Sequence, residues 1–100
     1  MTDDILHHID HVDPLPGYRL RVWWRAGGQS LVDFSDDVAD GPVWAPLRDE
    51  RLFAKVQVID NGRVIEWPEP RRANGWPVVD IDADGLWYTA LQQSGAVAAE

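Results

Sequence analysis

The sequence contains no cysteine, which excludes a disulfide framework, a thiolate metal site and a cysteine nucleophile, and which fits a reducing cytosol. No apolar run approaches the roughly 18 residues that a membrane span needs. The start, Met1-Thr2-Asp3-Asp4, lacks the basic and apolar regions of a secretory signal. The chain is therefore expected to be cytoplasmic, with no membrane partner. Positive charge is also scarce: nine Lys and Arg stand against 17 Asp and Glu, a net charge of −8 at pH 7. That balance repels phosphate backbones over the chain as a whole, so nucleic acid is not an expected partner. The same charge is enough to explain solubility without invoking a basic partner.

What the chain does have is large apolar side chains, with 45% hydrophobic residues and six Trp in 100 residues. A chain of this length buries roughly 60 to 65% of the surface its unfolded form exposes, so one core is feasible. A single domain over 1–100 is expected, with 1–4 and 95–100 disordered.

The segment Ile5 to Asp13 alternates imperfectly between apolar and polar residues until Pro14 and Pro16-Gly17 interrupt it, which reads as an edge strand and a turn. From Tyr18 to Arg25 the alternation is clear. Leu20, Val22 and Trp24 fall on one face of a strand, and Arg19, Arg21, Trp23 and Arg25 fall on the other. Gly27-Gly28 suits a hairpin loop, and 30–34 returns as the next strand. Ser35 followed by Asp36 and Asp37 predicts an N-cap with acids in the first turn of a short helix that Gly41-Pro42 stops. After an apolar loop over 43–47, the stretch 48–54 has the composition of a second short helix, with Leu47, Leu52 and Phe53 turned inward. The runs 55–59 and 63–67 flank Asn61-Gly62, a pair suited to the centre of a type I′ turn. The stretch 71–79 has no useful periodicity and reads as a loop. Asp82 then caps a last helix whose Leu86, Trp87, Ala90 and Leu91 lie at helical spacing. The expected fold is α+β: an antiparallel sheet of about five strands, built from two hairpins and an N-terminal edge strand, with two short helices and a C-terminal helix.

The order and spacing of Pro14-Leu15-Pro16-Gly17-Tyr18-Arg19-Leu20, Val32-Asp33, Val43-Trp44-Ala45-Pro46-Leu47-Arg48-Asp49, Phe53, Gly62, Ile65, Trp67-Pro68 and Asp80-Ile81-Asp82 with Leu86 resemble the small bacterial proteins grouped as domain of unknown function 2442. The resemblance covers about residues 9 to 88. Relatives usually pass almost directly from the Trp-Pro pair to the Asp-Ile segment, so residues 69 to 79, with Trp76, lie outside it. It implies a compact α+β fold and no established activity or catalytic residue. Some relatives carry the domain ahead of a helix-turn-helix DNA-binding domain, and stand-alone genes often neighbour another small protein, as in toxin-antitoxin pairs.

Catalytic and metal-binding readings are weak. His7, His8 and His11, with Asp10 and Asp13, invite a metal site, but on a strand His8 faces away from the other two. Asp36, Asp37 and Asp40 lack the oxygen count of a hard-cation loop and are better explained as helix capping. Ser30, Ser35 and Ser94 lack a nucleophile-elbow context, and the turn glycines lack a phosphate-loop Gly-Lys-Ser/Thr. No enzyme, cofactor or metal is expected.

The basic stripe of Arg19, Arg21, Trp23 and Arg25 is the most informative feature on so acidic a chain. It reads as an outer sheet face with the arginines paired to acids on neighbouring strands, as a docking face for an acidic protein or a second copy, or as a stacking platform for single-stranded nucleic acid. Trp76, between Gly75 and Pro77, is either folded over the core or exposed as an anchor; Trp24, Trp44, Trp67 and Trp87 sit in apolar patterns and are expected in the core. The function these features predict is a non-enzymatic interaction domain, antitoxin-like or regulatory. Its partner would be another small protein or a second copy in a homodimer, bound through the sheet face or an open edge strand. The alternative is a small-molecule sensor or enzyme with a pocket lined by Trp44, Trp67 and Trp76.

Overall fold

The computed structural model describes residues 6–94. The expected disorder at 1–4 and 95–100 lies outside the described residues. Two three-stranded antiparallel meanders make up the fold. The first joins β1 (Ile9–Leu15), β2 (Arg19–Trp24) and β3 (Gln29–Asp33), with β2 in the middle. Its formation follows the alternation of β2, whose Leu20, Val22 and Trp24 are buried while Arg19, Arg21 and Trp23 are half-exposed. β1 runs on through Pro14, which pairs with Leu20. An edge strand tolerates proline because one side of it has no ladder to complete.

Three short helical segments leave β3. Helix α1 (Ser35–Asp40) buries Val38, a 3₁₀ segment (Pro42–Arg48) buries Leu47, and α2 (Glu50–Phe53) buries Phe53. The expected Ser35 cap on α1 is corrected. Asp33, two residues earlier, supplies the carboxylate that accepts the Ser35 N–H at 2.8 Å. Asp49 plays the same part for α2, accepting the Arg51 N–H at 2.9 Å.

The second sheet joins β4 (Gln57–Ile59), β5 (Val64–Glu66) and β6 (Asp80–Asp82), with β5 in the middle. Asn61 and Gly62 take positive φ of 55° and 86°, and the Arg63 N–H closes the turn on the Asp60 carbonyl at 3.0 Å. Helix α3 (Ala83–Ser94) follows β6 directly. The Asp82 carboxylate accepts the Gly85 N–H at 3.3 Å, and Ala83, Leu86 and Ala90 face inward.

The α+β class with antiparallel pairing holds, whereas the expected sheet of about five strands is, among the described residues, two sheets with six. The difference comes from β6, a three-residue strand with two aspartates that carries too little alternation to read as one. One cluster nonetheless serves both sheets, joining Leu20, Val22 and Val32 to Ile65, Trp67 and Leu86. Trp67 is fully buried, and its indole N–H donates to the Phe53 carbonyl at 2.8 Å. A buried indole needs such a partner, because an unsatisfied donor in the core costs about 1–3 kcal/mol.

Candidate functional site

The face of the first sheet turned away from the core is built in three cross-strand rows. His11, Trp23 and Gln29 form one, Asp13, Arg21 and Leu31 the next, and Leu15, Arg19 and Asp33 the third. The period of two that buries Leu20, Val22 and Trp24 turns every one of these side chains outward. Leu31 is 45% exposed and belongs to no core contact.

The register sets Asp13 opposite Arg21 and Asp33 opposite Arg19, as the reading of paired acids requires. The side chains do something else. Asp13 takes the His11 Nε2 at 2.8 Å, and Asp33 takes the Ser35 N–H. Ser35, through its backbone N–H and then its hydroxyl, holds the Asp33 carboxyl below its ordinary value, with Arg19 adding a smaller long-range contribution. Arg19 Nε donates to the Pro16 carbonyl at 3.1 Å and Arg21 Nη1 to the Gln29 side-chain oxygen at 2.8 Å. Among the described residues, neither guanidinium is within ion-pair distance of a carboxylate. Both retain N–H donors on an exposed face, beside the Trp23 ring that packs 5.1 Å from His11.

Arg25, grouped with this face by its position in the sequence, leaves it. Its guanidinium reaches Asp10 at 3.3 Å and the Asn61 carbonyl at 3.1 Å, tying the first sheet to the turn between β4 and β5. Arg25 follows Trp24, the last residue of β2, so the alternation of the strand does not fix its side. Trp76 lies at 66% exposure in the loop after β5. It does not share a cavity with Trp44 and Trp67. Trp67 is sealed in the core and Trp44 stacks on Phe34 at 5.1 Å, so the Trp-lined pocket is not formed. Trp24 is buried, whereas Trp44 and Trp87 are half-buried at the margin of the core.

The histidines are dispersed. His7 lies flat on Trp87, with ring centres 4.3 Å apart, while His11 is taken by Asp13. No group of three or more His, Asp or Glu among the described residues could hold a metal ion. The sequence reading missed a link around Asp84, which accepts the His7 N–H at 2.9 Å and two bonds from Arg63 at 3.1 and 3.0 Å. Arg63 also donates to the His7 carbonyl. These bonds hold Asp84 down to about 2, with Arg63 the larger cause and the His7 N–H the next. No local pattern could signal a contact between positions so far apart in the chain. A cleft of about 340 Å³ lies beside it, lined by His7, Trp24 and Trp87 among others.

No helix among the described residues is long and apolar enough to cross a membrane. No protein-family model and no curated protein matches the chain. A solved structure does, that of the protein named Putative DNA Binding Protein NE0471, from Nitrosomonas europaea. The TM-score is 0.68 and the identity 27%, over 95% of this chain and 56% of that one. The chain thus spans little more than half the length of the protein it matches. This likeness overturns two expectations drawn from the sequence: that nucleic acid is not a partner, and that the chain is an antitoxin-like or regulatory interaction domain or, failing that, a small-molecule sensor. The first rested on net charge, which sums over the whole surface and says nothing about one face. What the chain is similar to is a protein whose name places it with DNA.

Proposed function

We propose that this domain contacts DNA through the outer face of its first sheet, with Trp23 as a stacking surface for an unpaired base and Arg19 and Arg21 as phosphate partners. The observation that carries this is the state of the two arginines. Their cross-strand carboxylates bond His11 and Ser35 instead of the arginines, so both guanidinium groups keep N–H donors free beside an outward Trp. A three-stranded antiparallel face with an aromatic ring between basic side chains suits single-stranded nucleic acid, since stacking accepts any base and the backbone needs only local positive charge. The likeness to a protein named for DNA binding supports the reading. So does the resemblance to domain of unknown function 2442, some of whose members precede a helix-turn-helix domain. The reading involves no chemical step.

With a net charge of −8, binding must come from a small contact and be weak at physiological salt. Two phosphate contacts on a single strand predict a slope of log K against log salt of about −1.4. The test is fluorescence anisotropy with labelled single strands of roughly 8 to 16 nucleotides at low salt. Trp23→Ala is expected to weaken binding by about tenfold, and Arg19→Gln with Arg21→Gln to flatten the salt slope. Absence of binding by the unaltered protein at low salt, or binding indifferent to all three substitutions, would overturn the reading.

A further inference from the structure

The stretch from Arg71 to Pro77 has no periodicity in the sequence, yet it is a closed hairpin. Arg71 and Pro77 pair as an antiparallel bridge. The Arg72 N–H donates to the Trp76 carbonyl at 2.7 Å, and the Gly75 N–H returns to the Arg72 carbonyl at 2.9 Å. The Asn74 side chain accepts the Trp76 N–H at 3.0 Å, and Arg71 Nη1 donates to the Gly75 carbonyl at 2.7 Å. Pro77 and Val79, at the base, are buried. Gly75 takes a φ of 90°, which only glycine adopts without strain.

A ring as large as indole, 66% exposed on a loop held this firmly, buries little of itself in the fold. The loop could be ordered without it, because the bonds that hold Trp76 are made by its backbone. A pre-ordered tip gives up little conformational freedom on binding, so the ring can act as an anchor at low entropic cost. Its neighbours set the chemistry of what it meets. Arg71 and Arg72 are both exposed, on a chain that otherwise carries an excess of acid. Arg71 forms a long ion pair, 3.8 Å, with the buried Glu66, whereas Arg72 reaches only the Val78 carbonyl, at 3.5 Å. An exposed indole on the strand paired with two exposed arginines fits a ligand with a flat ring and negative charge near it.

We infer that this hairpin is a second contact for single-stranded nucleic acid, with Trp76 stacked on a base and Arg71 and Arg72 on the flanking phosphates. The inference rests on the reading of the sheet face and adds to it. Two contacts on one domain make the second binding event intramolecular, so affinity should step upward once a strand is long enough to reach both.

The experiment follows that step. Anisotropy is measured against oligothymidylates of increasing length for the unaltered protein, Trp76→Ala and Trp23→Ala, with circular dichroism and thermal melting confirming that each variant folds. The expected result is that Trp76→Ala removes the step, a loss of about tenfold on the longest strands and a smaller one on the shortest. Trp23→Ala should weaken binding at every length. A length profile for Trp76→Ala that overlies the unaltered protein's, while Trp23→Ala still binds weakly, overturns the hairpin contact and leaves the sheet face standing. Failure of the unaltered protein to bind any length overturns both.

Discussion

The side-chain amide of Gln93, near the end of α3, forms two hydrogen bonds with the main chain of Asp33, at the end of β3. Its oxygen accepts the Asp33 N–H at 2.7 Å and its nitrogen donates to the Asp33 carbonyl at 2.8 Å. The amide thus does for the last residue of an edge strand what a neighbouring strand would do, and it fastens the helix to the first sheet across 60 positions of sequence.

Replacing Gln93 by Ala should therefore loosen the contact between α3 and β3 without disturbing the core. Both bonds are exposed, so the freed groups turn to water, and the expected cost is about 1 kcal/mol. For a chain of this size that lowers the melting temperature by roughly 4–8 °C. Hydrogen exchange gives the sharper reading: the Asp33 amide should lose protection while those of Leu20 and Val22 keep theirs.

The link around Asp84 predicts a pH dependence. Its folded-state value, about 2, lies below the ordinary aspartate value of 3.8. A depressed carboxylate adds stability that is fully present above its unfolded value and is lost as pH falls toward the folded one. The unaltered protein should lose stability between about pH 4 and pH 2, and Asp84→Asn should show a shallower slope in that window. Urea midpoints at stepped pH check it. Equal slopes for the two proteins would mean that Arg63 and the His7 N–H do not hold the carboxylate.

Gly62 admits no side chain. Its φ is 86°, and a Cβ built on it would stand 2.6 Å from the Ile9 carbonyl oxygen. Gly62→Ala must force the turn and β1 apart as well as adopt an unfavourable backbone angle, so a loss of about 2 kcal/mol or more is expected in chemical denaturation. Gly28→Ala is the control. It shares a positive φ of 84° but meets nothing within 4 Å, so it should cost only the backbone strain.

Much of this architecture was legible where the local signal is strong. The alternation from Leu20 to Trp24 gave the central strand and its two faces, Asn61-Gly62 gave a turn, and Asp82 gave the start of α3. What escaped was set by distant partners. Phe34 rather than Ser35 stands at the N-cap of α1, and Asp33 takes the Ser35 N–H from one residue further back. Arg25 turns away from the basic stripe because Asp10 on the neighbouring strand and Asn61 in the turn of the second sheet offer it acceptors. The acids opposite Arg19 and Arg21 could be inferred from strand pairing, but not that His11 and Ser35 would engage them first. Trp76 could not be resolved between core and surface, since its loop is ordered by backbone bonds that leave no periodic trace.

The covering of both margins of the first sheet bears on how the protein avoids polymerising. An unguarded strand margin offers rows of free amides to any passing extended chain, and fibres begin there. Here one margin is plugged by an amide side chain. The other carries a proline with no N–H to offer and, at Ile9, the close backbone of Gly62. Growth of the sheet by strand addition is hindered on both sides, so the domain can keep Trp23 and Leu31 on an outward face without that exposure seeding aggregates.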